Sequence, residues 1–365
     1  MINYNKEPKK LTKLILLIFI VLIHLLNCEK KPSVPPHIAS KISFNDIFEL
    51  FNTIEISGNA TTPIFTTYNL YLKNNRIFIP DYIGNSVNIY NSNGDLIIKL
   101  GGEKGSKPGF FNMPYTVVQD KEGFIYINDR GNRRIQIYDS RFNFVKLINL
   151  NTTVESILNS QNSKIILVAV APTFQFKGGK KYLMREITNE GSILDSFGVF
   201  NKDYISYSWA ACVDNDNNIY ICNIYDNIIN IYKQNRKLLR RIKIESPSFI
   251  PLNSHIKAKP KTLEEYSEKQ RAFHTIPHSM ISRIFVYNNN FFVLHRLKNN
   301  PNKMEKYLLD IFDEFGNLLF YSIDIPGEIT CQNADKFYYV EHNKNMKYGH
   351  VKIIGIKILV NKFTK

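Results

Sequence analysis

Residues 117–147 read VVQDKEGFIYINDRGNRRIQIYDSRFNFVKL, and this pattern returns twice more in the chain. Residues 75–100 read NRIFIPDYIGNSVNIYNSNGDLIIKL, and residues 211–239 read ACVDNDNNIYICNIYDNIINIYKQNRKLL. Aligned, Phe78, Tyr126 and Tyr220 are equivalent, as are Asp81, Asp129 and Asn223, and Tyr90, Tyr138 and Tyr232. The first two copies lie 48 residues apart, and the next lies 94 further on, two periods of 47. A fixed period of this length marks a repeat architecture. Within each copy β-branched and aromatic residues alternate with polar ones, as in Val87-Asn88-Ile89 and Ile135-Gln136-Ile137, the period of a half-buried strand. Turn residues separate the runs: Asn93-Gly94, Asp120 to Gly123, Asp129 to Asn132, Asn217-Asn218. Each unit therefore reads as a four-stranded antiparallel meander. One meander cannot bury both its faces, but units stacked radially can, and that arrangement is a β-propeller.

Fainter copies fill the gaps, at residues 164–197, 284–321 and 335–360, which makes six units. Asn52-Thr53-Ile54-Glu55-Ile56-Ser57 stands before the first, and is expected to supply the outer strand of the last blade. Pairing the N-terminal strand to C-terminal sequence closes the ring and removes its open edge. Residues 246–280 interrupt the period between the fourth and fifth units. Thr262-Leu263-Glu264-Glu265 there has the form of a capping box, so a short helix is expected at about 262–273, ending before Ile276-Pro277.

The second unit resembles the NHL repeat. Gly101-Gly102, Gly105, Pro108-Gly109, Phe111-Asn112 and Pro114 stand in the order of its consensus. So do Val117-Val118, Asp120, Gly123, Ile125-Tyr126-Ile127, Asp129, Asn132 and Arg134-Ile135-Gln136-Ile137. The resemblance is specific over 101–139 and implies an all-β, six-bladed NHL-like propeller over residues 45–365.

The first residues carry an address. Lys6, Lys9, Lys10 and Lys13 precede a 13-residue apolar run, LILLIFIVLIHLL at 14–26. A basic segment followed by so short an apolar one is a secretory signal, and is too short to span a bilayer. Leu25-Leu26-Asn27-Cys28 resembles a bacterial lipobox, with Asn27 where the pattern prefers a small residue. That resemblance implies removal of residues 1–27, lipid attachment to Cys28, a tether over 28–44 and a place in the bacterial cell envelope. A net +3 of the formal +15 leaves with the signal, so +12 remains on the mature chain.

With 44% hydrophobic residues the chain is neither disordered nor, with four Cys in 365 residues, a disulfide-built scaffold. The charge favours an acidic partner. Nucleic acid would suit it, but an exported chain leaves most nucleic acid behind. No Gly-rich phosphate loop, nucleophile elbow or CxxC is present.

Long segments fall between the second and third strands of a blade and between blades, which places them all at one end of the ring. They carry Lys104, Lys107, Arg130, Arg133, Arg134, His295, Arg296, Tyr207 and the one tryptophan, Trp209. Loops on a rigid scaffold are where binding concentrates, and cations with amphipathic aromatics suit a protein, peptide or anionic ligand. A solvated rim, with Arg134 used structurally, is the alternative. Asp81 and Asp129, at identical repeat positions, point to structural hydrogen bonding. Cys212 and Cys222 flank a hairpin turn and are expected to face one another, as a disulfide or as two buried thiols. His274 and His278 are four apart, but Pro277 lies between them, so no metal or cofactor is expected there. The competing reading is a metal-dependent hydrolase or lyase working in the central channel, using His295, His342 or His350.

Overall fold

The computed structural model describes residues 39–66, 69–150, 152–159, 165–169, 174–175, 181–188, 190–199, 209–252, 260–275, 277–298, 306–333, 335–342 and 348–359. Among them the chain begins with β1 (Ser40–Lys41), a four-residue helix α1 (Phe44–Ile47) and β2 (Phe48–Ser57). Blade 1 is β3 (Tyr71–Lys73), β4 (Arg76–Asp81), β5 (Ser86–Asn91) and β6 (Leu96–Gly101). Blade 2 is β7 (Pro114–Gln119), β8 (Ile125–Asp129), β9 (Arg134–Tyr138) and β10 (Phe144–Asn149). Blade 3 is β11 (Val154–Asn159), β12 (Ile165–Ala169), β13 (Phe174–Gln175), β14 (Lys181–Ile187) and β15 (Ile193–Val199). Its β13 is a two-residue addition paired to β14. Blade 4 is β16 (Trp209–Val213), β17 (Ile219–Asn223), β18 (Ile228–Tyr232) and β19 (Leu238–Lys243). After the helix α2 (Leu263–Thr275), blade 5 is β20 (His278–Tyr287), β21 (Asn290–Lys298), β22 (Lys306–Phe312) and β23 (Leu318–Ile325). Blade 6 is β24 (Glu328–Asn333), β25 (Lys336–His342) and β26 (His350–Ile358), completed by β2.

Ring closure follows the expectation. Strand β2 pairs antiparallel with β26, with Asn52 opposite Gly355, Ile54 opposite Ile353 and Ser57 opposite His350. A second clasp has no signature in the repeat: β1 pairs parallel with the outer strand of blade 5, Ser40 opposite Phe320 and Lys41 opposite Tyr321. The fold thus takes up residues 40–44 of the stretch expected to be tether. The N-terminal segment thus supplies the outer strand of blade 6 and covers part of the outer edge of blade 5, where among the described residues β6, β10, β15 and β19 have no strand beyond them.

The packing explains the alternation. Six apolar clusters each lie between two adjacent blades. Phe78, Val87 and Ile89 of blade 1 meet Val117, Ile125 and Ile127 of blade 2. Ile135, Ile137 and Ile148 of blade 2 meet Ile157 and Ile187 of blade 3. Met184 and Phe197 meet Ile219 and Ile221, and Cys222, Ile229 and Ile231 meet Ile284 and Phe291. Phe292, Leu309 and Ile323 meet Phe337 and Ile356. Ile353 and Val340 return to Ile77 and Ile79. Both faces of the central strands β4, β8 and β17 are therefore buried, which is why they are near-continuous apolar runs. The innermost strands β3, β7, β11, β16, β20 and β24 touch one another in sequence around the axis.

Helix α2 occupies the expected interruption. Thr262 Oγ1 accepts from the Glu265 amide at 3.1 Å, one half of a capping box. The Glu265 carboxylate accepts from the Lys261 amide at 2.7 Å and lies 2.8 Å from Lys269 Nζ.

Of the two cysteine alternatives the structure has the thiols, and the pair does not face across the hairpin. In the β16–β17 register Cys212 opposes Tyr220 and Cys222 opposes Ala210, two residues out of step. Cys212, Cys222 and Cys331 are all free thiols, and burial pushes all three up, Cys331 to about 11.

Candidate functional site

The repeat's carboxylates have the structural role expected of them. Asp81 accepts from the Phe65 amide at 2.8 Å, Thr66 Oγ1 at 2.9 Å and the Gly84 amide at 3.0 Å. Asp129 accepts from the Asn112 amide at 2.7 Å, Asn132 Nδ2 at 2.8 Å, Arg134 Nε at 2.6 Å and Gln136 Nε2 at 3.1 Å. In each case a buried carboxylate at the end of a blade's second strand pins the segment that enters the blade. Satisfying backbone N–H groups in this way is what makes the burial of a charge tolerable.

Two residues expected on the binding face belong to this framework. Arg134 is buried, not presented. Besides Asp129 it donates to the carbonyls of Ser106 at 2.5 Å, Lys107 at 3.1 Å and Phe110 at 2.8 Å. His295 lies wholly buried on β21, at the position Asp81 holds in blade 1, with Nε2 3.1 Å from Asp310. Blade 5 moves its carboxylate from the second strand to the third, where Asp310 accepts from Ser248 Oγ at 2.6 and 2.7 Å and from the Ser322 amide at 2.9 Å. Ser248, on the entering segment, does for blade 5 what Thr66 does for blade 1. Burial would raise the Asp310 carboxyl, but hydrogen bonds from His295, Ser246 and Ser248 and the nearby imidazole hold it below the usual carboxylate value. The serine bonds the aspartate and not the histidine, so this is no nucleophile–base pair.

Of the remaining expected residues, Lys104, Lys107 and Arg133 stand exposed on the outer loops, and Arg296 is half-buried on β21. Tyr207 and Cys28 lie outside the described residues. Two come to the channel. Trp209, the first residue of β16, is half-buried on its wall, and Arg130, at the turn between β8 and β9, reaches the mouth.

The channel is a cavity of about 710 Å³ walled by the six innermost strands. At the end carrying the long loops it holds a charged cluster of which the sequence pointed only to Arg130. Arg130 Nη2 is 3.6 Å from Glu155 Oε2, and its guanidinium lies 4.8 Å from the centre of the Tyr115 ring. Arg283 donates to Asn69 Oδ1 at 2.9 Å and stands 3.8 Å from Glu328. Glu328 also accepts from Ser282 Oγ at 2.9 Å and Tyr307 OH at 3.4 Å. The two halves are electrostatically one site. Burial raises the Glu155 carboxyl, against the opposing pull of both Arg130 and Arg283. Burial likewise raises the Tyr115 hydroxyl, with Glu155 adding to it and Arg283, Asn69 and Arg130 countering.

Glu155 and Glu328 stand at the starts of the innermost strands β11 and β24, Arg283 lies within β20, and Arg130 sits in the turn between β8 and β9. A signal for them existed: Glu155 in VESIL, Arg283 in MISRIFV and Glu328 in EITCQ are charges set inside runs otherwise built for burial. The signal is weak because those strands belong to the faint units, or precede the repeat's strongest part.

The competing metal reading finds no such cluster. Among the described residues no three His, Cys, Asp or Glu side chains gather to hold a metal ion. His278 begins β20 rather than continuing α2, so it shares no helix face with His274. His350 is 3.9 Å from Glu55 on the outer strand pair, away from the channel. Among the described residues no helix is long and apolar enough to cross a membrane.

Comparison with known proteins agrees with this architecture. Over 102 residues the chain is 34% identical to human NHL repeat-containing protein 3, covering 27% of this chain and 29% of that protein. The chain thus spans under a third of the length of that relative. Among solved structures, a Bacteroides fragilis protein described as exported superposes with a TM-score of 0.65 at 13% identity, covering 88% of this chain and 98% of the other. A member of the DUF4221 family from Bacteroides vulgatus gives 0.60 at 9% identity, covering 86% and 98%. At such identities these two likenesses bear on the fold. A family model described as a 6-bladed beta-propeller matches residues 35–277, and the chain belongs to that family, DUF5128.

Proposed function

We infer that this protein is an exported, lipid-anchored binding scaffold, and that its ligand docks at the charged mouth of the channel. The ligand class is a protein, peptide or other anionic group presented in the cell envelope. The observation that carries the reading is the cluster itself. Arg130, Glu155, Arg283 and Glu328 are half-buried beside a cavity of ligand size, with Tyr115 and Trp209 as flat amphipathic walls. The ring's own stability does not call for this cluster: each blade interface is already closed by an apolar cluster, and each entering segment in blades 1, 2 and 5 by its buried carboxylate. A concave site with a few convergent polar groups and perturbed acids is the natural binding position on such a scaffold. The mouth also lies at the end of the ring away from where β1 runs along β23, near the turn at Asp313 to Asn317 where β23 begins.

The anchor and the site are tested separately. Metabolic labelling with an alkyne-bearing fatty acid should tag the wild-type protein and not Cys28→Ser; equal labelling would overturn the anchor. Emission of Trp209, the one tryptophan of the chain, should respond to a pool of short peptides in a salt-dependent way. Arg130→Glu should abolish that response and Arg133→Glu should leave it. An unchanged response in Arg130→Glu would move the site elsewhere.

A further inference from the structure

Arg130 stands beside the Glu155 carboxylate at the mouth without holding it closely. Arg130 and Glu155 are 3.6 Å apart, longer than a charge-assisted hydrogen bond of about 2.8 Å. The other contact of Arg130 is the face of Tyr115, and its Nε is buried without a hydrogen-bond partner. A guanidinium has five donors in a planar fork, so Arg130 keeps most of its bonding capacity unspent. Arg283, from the facing wall, acts on the same Glu155 and the same Tyr115 hydroxyl. Around this pair stand Asn69 as an uncharged hydrogen-bonding group and Tyr115 and Trp209 as aromatic walls.

Resting on the reading of the mouth as a binding site, we propose that the group it recognises is a carboxylate, a peptide C-terminus or acidic side chain, gripped between Arg130 and Arg283. The fork of arginine matches a planar carboxylate in two-point fashion, and the site already holds one carboxylate, that of Glu155, in the same field. Entry of a second anion is opposed chiefly by Glu155. Burial already favours the neutral form of that side chain, so a proton taken up by Glu155 on binding relieves the repulsion. Glu328 is spoken for by Ser282, Tyr307 and Arg283 and stays in place. A ligand with an aromatic or apolar body beside its carboxylate would fill the cavity between Tyr115 and Trp209.

The test uses the full-length protein in detergent and the emission of Trp209. N-acetylphenylalanine and its amide differ by one negative charge and share every other group. The carboxylate should bind roughly ten- to a hundred-fold more tightly than the amide, the usual worth of hydrogen bonds to a charged group. Arg130→Gln and Arg283→Gln, each checked for native circular dichroism, should each erase that preference; two variants guard against one that fails to fold. Equal binding of acid and amide overturns the proposal while keeping the mouth as a binding site. A preference that survives both variants overturns it too, as does tighter binding of inorganic phosphate than of the carboxylate. If neither compound binds, the proposal falls, and a pool of N-acetylated, C-amidated peptides then judges the site alone. A response to that pool keeps the binding site, and silence removes it as well.

Discussion

Arg134→Met removes a group that holds blade 2 to the segment that enters it. The side chain makes four hydrogen bonds, one to the Asp129 carboxylate at 2.6 Å and three to the carbonyls of Ser106, Lys107 and Phe110. Methionine keeps most of the volume and none of the donors. Asp129 retains its bonds from Asn112, Asn132 and Gln136, so its charge is not wholly abandoned. Three carbonyls lose a cation and must find water. Breaking a buried pair of this kind costs about 3–5 kcal/mol. At about 2 °C per kcal/mol for a domain of this size, the melting temperature should fall by roughly 6–10 °C. Arg133→Met is the control. Its side chain is exposed, so the change should stay within about 0.5 kcal/mol. Urea unfolding followed by circular dichroism measures both. An Arg134→Met protein within about 1 kcal/mol of wild type would refute the structural assignment and return Arg134 to the binding face.

Further outcomes follow from the same geometry. The Glu155 carboxyl is raised by burial from an ordinary value of 4.5, so its contribution to stability is complete below that pH and is lost as pH rises through the raised value. Glu155→Gln should therefore flatten the loss of melting temperature between pH 4.5 and neutrality; an unaltered slope would contradict the burial of that carboxyl. Under non-reducing denaturant Cys212, Cys222 and Cys331 should all titrate as thiols, whereas a disulfide would hide two of them. In the native state Cys331 should resist alkylation until pH nears 11, and ready labelling at pH 8 would show it accessible and acidic. Deleting residues 39–57 removes β2 and with it buried Ile47, Phe48, Ile54 and Ile56. The remainder should fail to give a cooperative unfolding transition, and a cooperative one would show that the ring closes without its N-terminal strand.

Much of this architecture is legible in the sequence because the repeat is redundant. Phe78, Tyr126 and Tyr220 state the same strand three times, and Asp81 and Asp129 state the same anchor twice. Even the closure of the ring is legible, since Ile54 and Ile56 alternate as an unpaired strand must. The site is less legible for the opposite reason. Glu155, Arg283 and Glu328 occur once each, 128 and 45 residues apart along the chain, and only the curvature of the ring brings them together. Local pattern also misassigned residues whose environment is tertiary. Arg134 and His295 carry the chemistry of a binding face, and a buried carboxylate consumes each. Cys212 and Cys222 flank one turn, but the five-residue Asp214–Asn218 connection sets a register that puts them two residues out of step. The clasp by β1 has no sequence signal at all, being two residues long.

The central claim is that ligand recognition sits at the mouth of the channel. Hydrogen–deuterium exchange on the full-length protein, with and without a saturating peptide pool, tests it most directly. Protection should gather at the starts of β7, β11, β16 and β24, around Tyr115, Glu155, Trp209 and Glu328, and leave the outer strands β6, β10 and β19 unchanged. Protection confined to those outer strands, with the starts of the inner strands exchanging as before, would contradict the account.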